Sequence, residues 1–261
     1  MLNLRCANNK LEYEGLTFET KNNGSLIILE YRNYEDVLVK FVDTNYETVT
    51  YMSCILNGKV KDKFKPSVYD VGVIGDEVCT TNGGKTKEYK LWSSMLQRCY
   101  DGALKQIYPS YQDCTTSESF NYLWKFKEWC VDQVGFNSKD NNGKDFALDK
   151  DILIKGNKIY SEDTCCFVPY EINNLLSSNR KSRGGTPIGV SFHTRDNKYQ
   201  AYLNTGISRV SLGYFISMTK AFQAYKEAKE QYIKEVANRW KDQIDPRAYE
   251  ALMNYEVEIT D

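Results

Sequence analysis

The sequence predicts an α+β fold in three parts: a small β-barrel-like module, a central helical and ββα region, and a C-terminal three-stranded antiparallel sheet backed by a helix. Three observations predict it. Short β-rich runs follow one another at close spacing up to residue 76. Apolar residues switch to helical spacing from residue 77 and hold much of it to residue 178. From residue 179 to 261, three further strand-like runs lead into one long amphipathic helix. The chain has 261 residues, 41% hydrophobic and 26% charged, a composition that supports packed cores and excludes a wholly disordered chain.

In the first part, Thr17 to Thr20, Leu26 to Tyr31, Val37 to Val42 and Val49 to Ser53 read as strands, with Asn22-Asn23-Gly24 and Asn57-Gly58 as turns. Alternation places Val37, Val39 and Phe41 on one face. In the second part, Leu91, Trp92, Met95, Leu96 and Cys99 form one helical stripe. Phe120, Leu123, Phe126, Cys130 and Val134 form another, with Ser117 as its expected cap. A strand over Phe146 to Ile152, a loop holding Gly156 and Asn157, a strand over Cys165 to Val168 and a helix opened by Pro169 complete it. In the third part, Asn179 to Gly185 reads as a linker. Ile188 to Phe192, Tyr199 to Asn204 and Arg209 to Leu212 read as strands, and Met218 to Trp240 as the helix. Its Ala221, Ala224, Tyr225 and Ala228 lie on the face that allows close approach to a sheet.

A net charge of -1 gives no global electrostatic footprint for nucleic acid, although Asn179-Arg180-Lys181-Ser182-Arg183 is locally basic. The 8 cysteines form no C-x-x-C pair, and Cys165 and Cys166 are adjacent, so zinc is not expected. They read as reduced thiols of a cytoplasmic protein. No apolar run is long enough for a membrane helix, so no membrane partner is expected.

Gly189-Val190-Ser191-Phe192, Lys198 to Leu203, Val210 to Phe215 and Ala221 to Tyr225 resemble, in that order, the AP2 DNA-binding domain, especially the versions carried by phage homing endonucleases. The resemblance implies a sheet laid in the major groove of double-stranded DNA, with the helix behind it. Alternation sends Val190, Phe192, Ala201, Leu203, Val210 and Leu212 toward the helix. Ser191, His193, Tyr202, Asn204, Arg209 and Ser211 point outward, and with Arg195 of the first turn they match the family's DNA-facing positions. This outer face has fewer Arg and Trp residues than the family usually shows.

The stretch from Leu148-Asp149-Lys150-Asp151 through Asn157 to Pro169, Glu171 and Asn173 looks like an HNH nuclease motif. The resemblance implies Asp149 and Asn173 as ligands of one Mg2+ or Mn2+ ion. It also places Lys150 where the family has its general-base histidine. A lysine of ordinary pKa is protonated at neutral pH and takes up no proton. The resemblance therefore implies a phage-encoded DNA-binding protein of homing-endonuclease ancestry, weakly active or inactive. An active metal-dependent nicking enzyme, and a phage factor that binds a host protein to inhibit a defence or another enzyme, are the alternatives. The first part looks like the small β module that precedes such nucleases, and no functional residue is carried over from it.

Overall fold

A computed structural model describes residues 12–176, 185–206 and 208–261. The fold is mixed α+β, with several small sheets and no closed barrel among the described residues. Most of the expected linker and the basic run at 179–183 lie outside the described residues. The chain divides into two compact units, residues 1–109 with 118–126, and residues 110–117 with 127–261.

The first unit opens with β1 (Thr17–Glu19), β2 (Ser25–Asn33), β3 (Asp36–Phe41) and β4 (Glu47–Thr50), paired in sequence order. Among the described residues β1 and β4 pair only with their sequence neighbours, so the expected barrel-like module is an open meander there. Val37, Val39 and Phe41 are fully buried, as their alternation requires, and pack with Leu26, Ile28, Met52 and Ile55. The residues after Thr50 do not extend β4 to Ser53; they turn into α1 (Met52–Leu56), which drives Met52 and Ile55 into that core. The hairpin of β5 (Thr80–Thr81) and β6 (Gly84–Lys85) leads into α2 (Lys87–Tyr100). The Thr86 side chain caps α2 by accepting from the Tyr89 N–H, and Trp92, Met95, Leu96 and Cys99 are its buried stripe. The short α3 (Gly102–Ile107) follows, capped by Asp101.

Helix α4 (Leu123–Val131) begins later than a cap at Ser117 requires. Asn121 and Leu123 are held by Val73 instead: Val73 N–H donates to the Asn121 carbonyl at 2.8 Å, and Leu123 N–H to the Val73 carbonyl at 2.9 Å. A 3-10 turn over Ser119–Asn121 satisfies that geometry, and Ser117 gives its hydroxyl to Glu162. Val134 lies past the helix end and is exposed.

In the second unit β7 (Thr115–Thr116) pairs in parallel with β9 (Ile159–Tyr160), and β8 (Ala147–Asp149) pairs antiparallel with β10 (Cys166–Val168). Pro169, extended, stands immediately before α5 (Tyr170–Leu175). The sheet of β11 (Val190–His193), β12 (Lys198–Asn204) and β13 (Arg209–Phe215) is antiparallel and packs on α6 (Met218–Trp240). Helix α7 (Pro246–Met253), capped by Asp245, lies against α6. Among the described residues no helix is long and apolar enough to cross a membrane.

Candidate nucleic-acid interface and ββα site

The faces of the β11–β13 sheet follow from its register. Residues opposite one another in an antiparallel pair share a face. Val190 pairs with Ala201, and Leu203 with Val210, on the side of α6. Val190, Ala201 and Leu203 are buried there against Ala221, Phe222 and Tyr225. Gly189 opens the strand at φ 72°, and a Cβ there would stand 2.0 Å from the Tyr225 ring. The close approach of strand and helix thus depends on that glycine.

On the opposite face Ser191 pairs with Gln200, His193 with Lys198, Tyr202 with Ser211, and Asn204 with Arg209. The structure therefore brings Ser191, His193, Tyr202, Asn204, Arg209 and Ser211 to one surface. The Arg209 guanidinium lies 3.4 Å from the centroid of the Tyr202 ring, a cation–π stack that holds a planar donor fork at the surface. The Asn204 amide oxygen accepts from Gly206 N–H at 3.0 Å and orders the turn that follows. Arg195 sits on a 3-10 turn after β11, almost wholly exposed, with its Nε 3.3 Å from Asp196. His193 Nδ1 approaches Asp196 Oδ2 to 3.3 Å without hydrogen-bond geometry, and its ring meets Tyr214 edge-on at 5.8 Å.

Two expected inward residues differ in burial. Phe192 and Val210 lie on the helix side by register, yet are 45% and 44% exposed, since they sit near strand ends. Phe192 covers the Tyr199 ring instead. Leu212 is the extra residue of a β-bulge opposite Ala201 and Tyr202, and the bulge changes which side the rest of β13 presents. Tyr214 thereby joins the outer face, opposite Gln200, whose side-chain amide donates to Ser211 Oγ at 3.3 Å. Gln200 and Tyr214 are the residues of this face that sequence reasoning missed. Alternation back from Ala201 carries the signal for Gln200, and Gly213 within the strand carries it for Tyr214.

The ββα unit places Cys166 opposite Asp149, and α5 packs against β8. Asp149 Oδ1 accepts from the N–H groups of Asp151 at 2.7 Å and Ile152 at 2.9 Å, which folds the start of the loop. Burial raises the Asp149 carboxyl above the usual range, against the pull of those two hydrogen bonds. Lys150 is buried. Its ammonium donates to the Asp151 carboxylate and, at 2.7 Å, to the Asn157 carbonyl. Asn157 returns the contact, donating to the Lys150 carbonyl at 2.8 Å and the Ile159 carbonyl at 2.7 Å. Lys150 and Asn157 therefore clamp the loop from both sides.

Asn173 is half-buried on α5 between Ile172, which is buried, and Asn174. Glu171 accepts from Arg239 and, at 2.8 Å, from the Trp240 indole, and so fastens α5 to the end of α6. Among the described residues no group of three His, Cys, Asp or Glu forms a metal cluster. A magnesium or manganese ion at Asp149 and Asn173 would have one carboxylate, with an oxygen already engaged, and one amide. That donor set fits an ion that keeps most of its water, as magnesium does, and not a closed protein cage. Cys165 and Cys166 are buried free thiols; burial lifts Cys165 to about 12 and Cys166 well above the usual thiol value. Comparison of the chain with protein-family models, with curated proteins and with solved structures finds no match.

Proposed function

We propose that this protein binds double-stranded DNA through the outer face of the β11–β13 sheet, and that its ββα unit is an HNH-type nuclease core of homing-endonuclease, bacteriophage type that is weakly active or inactive. One observation carries the binding reading. Arg209, Asn204, Tyr202, Ser211, Ser191 and His193 share a single surface, with the guanidinium stacked on an aromatic ring. Arg and Asn are the side chains whose paired hydrogen-bonding groups match guanine and adenine edges in the major groove. Gln200 has the same capacity as Asn204, and Arg195 and Lys198 supply positive charge for phosphates at the β11–β12 end.

The proposal of weak catalysis rests on Lys150. The residue in the base position is buried in the loop clamp, with its ammonium engaged by Asp151 and Asn157. Losing a general base typically removes about 10²–10⁴ in rate. If Mg2+ or Mn2+ binds, Asp149 and Asn173 would hold it, and it would supply charge to the leaving oxygen. A second reading, a factor that binds a host protein to inhibit a defence or another enzyme, is favoured by the net charge of -1 and by the exposed Tyr214 and Ile216 beside the same face.

A gel-shift titration of duplex DNA at stepped salt, without metal, tests the binding. Affinity should fall steeply with salt. Arg209→Ala should weaken it by about 1–3 kcal/mol if the guanidinium contacts a base edge. Binding should survive EDTA, with little cleavage after magnesium or manganese is added. Unchanged affinity in Arg209→Ala would refute the assignment of the face. Rapid nicking abolished by Asp149→Ala would refute the weak-catalysis reading.

A further inference from the structure

The first unit carries a groove that the sheet reading does not use. It is an open depression of about 400 Å³, lined by Ser67, Tyr69, Lys85, Tyr89, Ser93 and Gln97, among others. One wall is α2, where Tyr89, Ser93 and Gln97 recur every four residues and so stand above one another on one face. The other wall is a tight turn. Gly72 N–H donates to the Val68 carbonyl at 2.8 Å, and Val68 N–H to the Gly72 carbonyl at 3.2 Å. The turn is pressed on α2 so closely that a Cβ on Gly72 would stand 2.4 Å from Leu96 and 2.7 Å from Trp92.

Three residues span that turn, and the first two, Tyr69 at φ 52° and Asp70 at φ 59°, are left-handed. Consecutive left-handed positions at the centre of a β-turn, here Val68 to Val71, are ordinarily filled by Asn-Gly or Asp-Gly. A bulky tyrosine there is costly, and such departures gather at binding sites. What the unfavourable backbone achieves is visible: it sets the Tyr69 ring in the groove, half-buried, across from α2. Lys85 closes one end from the β5–β6 hairpin, exposed, its ammonium 5.4 Å from the centroid of the Tyr89 ring. At the Gln97 end, the side-chain amide is engaged with Asp101 at 3.4 Å, so that end is acidic.

We propose that this groove binds a nucleotide, its base on the Tyr69 ring and its phosphate at Lys85, whose ammonium the Tyr89 ring steadies. Each feature of the lining selects for that chemistry. Aromatic rings accept any flat heterocycle by stacking. The hydroxyls of Ser67 and Ser93 can each donate or accept, which suits base edges and a sugar. Among the described residues of the lining Lys85 is the one lysine, and it stands at the end away from Asp101, where a phosphate is favoured. The volume falls within the usual range for small-molecule sites. Burial raises both phenols above their ordinary range, with Asp101 adding to the effect at Tyr69, so the walls stay uncharged beside a phosphate. The nucleotide's source is either free monomer or a residue of a single strand, and the recognising chemistry is the same.

The test is titration of the full chain, by NMR or calorimetry, with deoxynucleoside monophosphates, with a short single-stranded oligonucleotide and with inorganic phosphate. Saturable binding of either nucleotide form at or below millimolar concentration is expected, and which form binds more tightly identifies the source. Tyr69→Asn places a residue that tolerates the left-handed turn, so it should retain the fold, with a Tm at or above that of the parent, and lose on the order of 10-fold in affinity. Lys85→Ala, at an exposed position, should weaken nucleotide binding and reduce its salt dependence. Arg209→Ala should leave it unchanged, which separates this site from the sheet. The proposal is overturned if neither nucleotide form binds, if inorganic phosphate binds as tightly as a nucleotide, if folded Tyr69→Asn binds as the parent does, or if Arg209→Ala abolishes the binding.

Discussion

Replacing Gly189 with alanine tests whether the sheet and α6 meet as described. The added Cβ would lie 2.0 Å from Tyr225 Cδ2 and 2.3 Å from both Cε2 and Cγ, where ordinary contacts begin near 3.4 Å. Tyr225 is 4% exposed, so its ring has no room to swing aside. A left-handed backbone at φ 72° adds a cost of about 1–2 kcal/mol for any residue with a Cβ. Overpacking of a closed core adds about 1–3 kcal/mol. The sum is a destabilisation of about 2–5 kcal/mol, which lowers Tm by about 2–4 °C per kcal/mol for a protein of this size. Gly206→Ala is the matched control. Its φ is 83° but its Cβ would meet nothing within 4 Å, so only the backbone cost of about 1–2 kcal/mol applies. Urea unfolding followed by tryptophan fluorescence measures both variants. Equal losses in the two would refute the packing argument, and a loss below about 1 kcal/mol in Gly189→Ala would refute the register.

Three further expectations concern buried titratable groups. Because the Asp149 carboxyl titrates above its usual range, its ionisation costs the native state stability as pH rises from the unfolded value through the folded one. Asp149→Asn keeps an acceptor for Asp151 and Ile152 without the charge, so urea unfolding at neutral pH should show stability equal to or above the parent, whereas Asp149→Ala should lose about 1–3 kcal/mol. Lys229 donates to the Leu175 carbonyl at 2.7 Å, and burial lowers it to about 8 from 10.5. Its charged form is therefore disfavoured in the folded state. It should make stability rise with pH between those two values, and Lys229→Met should remove that slope in unfolding curves taken across the window. A thiol assay in denaturant without reductant should count 8 thiols; in the native protein Cys165 and Cys166 should alkylate far more slowly than half-buried Cys79.

Local alternation made the β3 core face and most of the outer β11–β13 face legible, because each residue of a strand is placed by its neighbours two positions away. It stopped being legible at Leu212, where one extra residue reverses the alternation and only pairing with β12 reveals it. The order strand, loop, strand, helix around Asp149 was legible too. The state of Lys150 was not. Sequence puts Asp149 and Asp151 beside it, but its burial follows from Asn157, seven residues away, folding back on the loop. Substituting histidine at this position would therefore remove a structural tie as well as place an imidazole, so it is a poor test of a missing base. The groove beside Tyr69 was illegible because it depends on a left-handed turn that the tyrosine itself disfavours. The α4 start was misread because Val73, far away in sequence, competes for its first turn.

Helix α6 has 23 residues, about 34 Å of continuous rod. Its first turns carry the sheet through Ala221, Phe222 and Tyr225, and its last turn holds Glu171 of α5 through Arg239 and Trp240. The spacing between the outer sheet face and the Asp149 loop is thus ruled by a rod, and not by the length of the connection at 177–184. Insertions and deletions in that connection can accumulate without moving one surface relative to the other. A single residue inserted in the middle of α6 would instead turn one end against the other by about 100°. Natural variation in length should therefore be tolerated in the connection and purged from the helix.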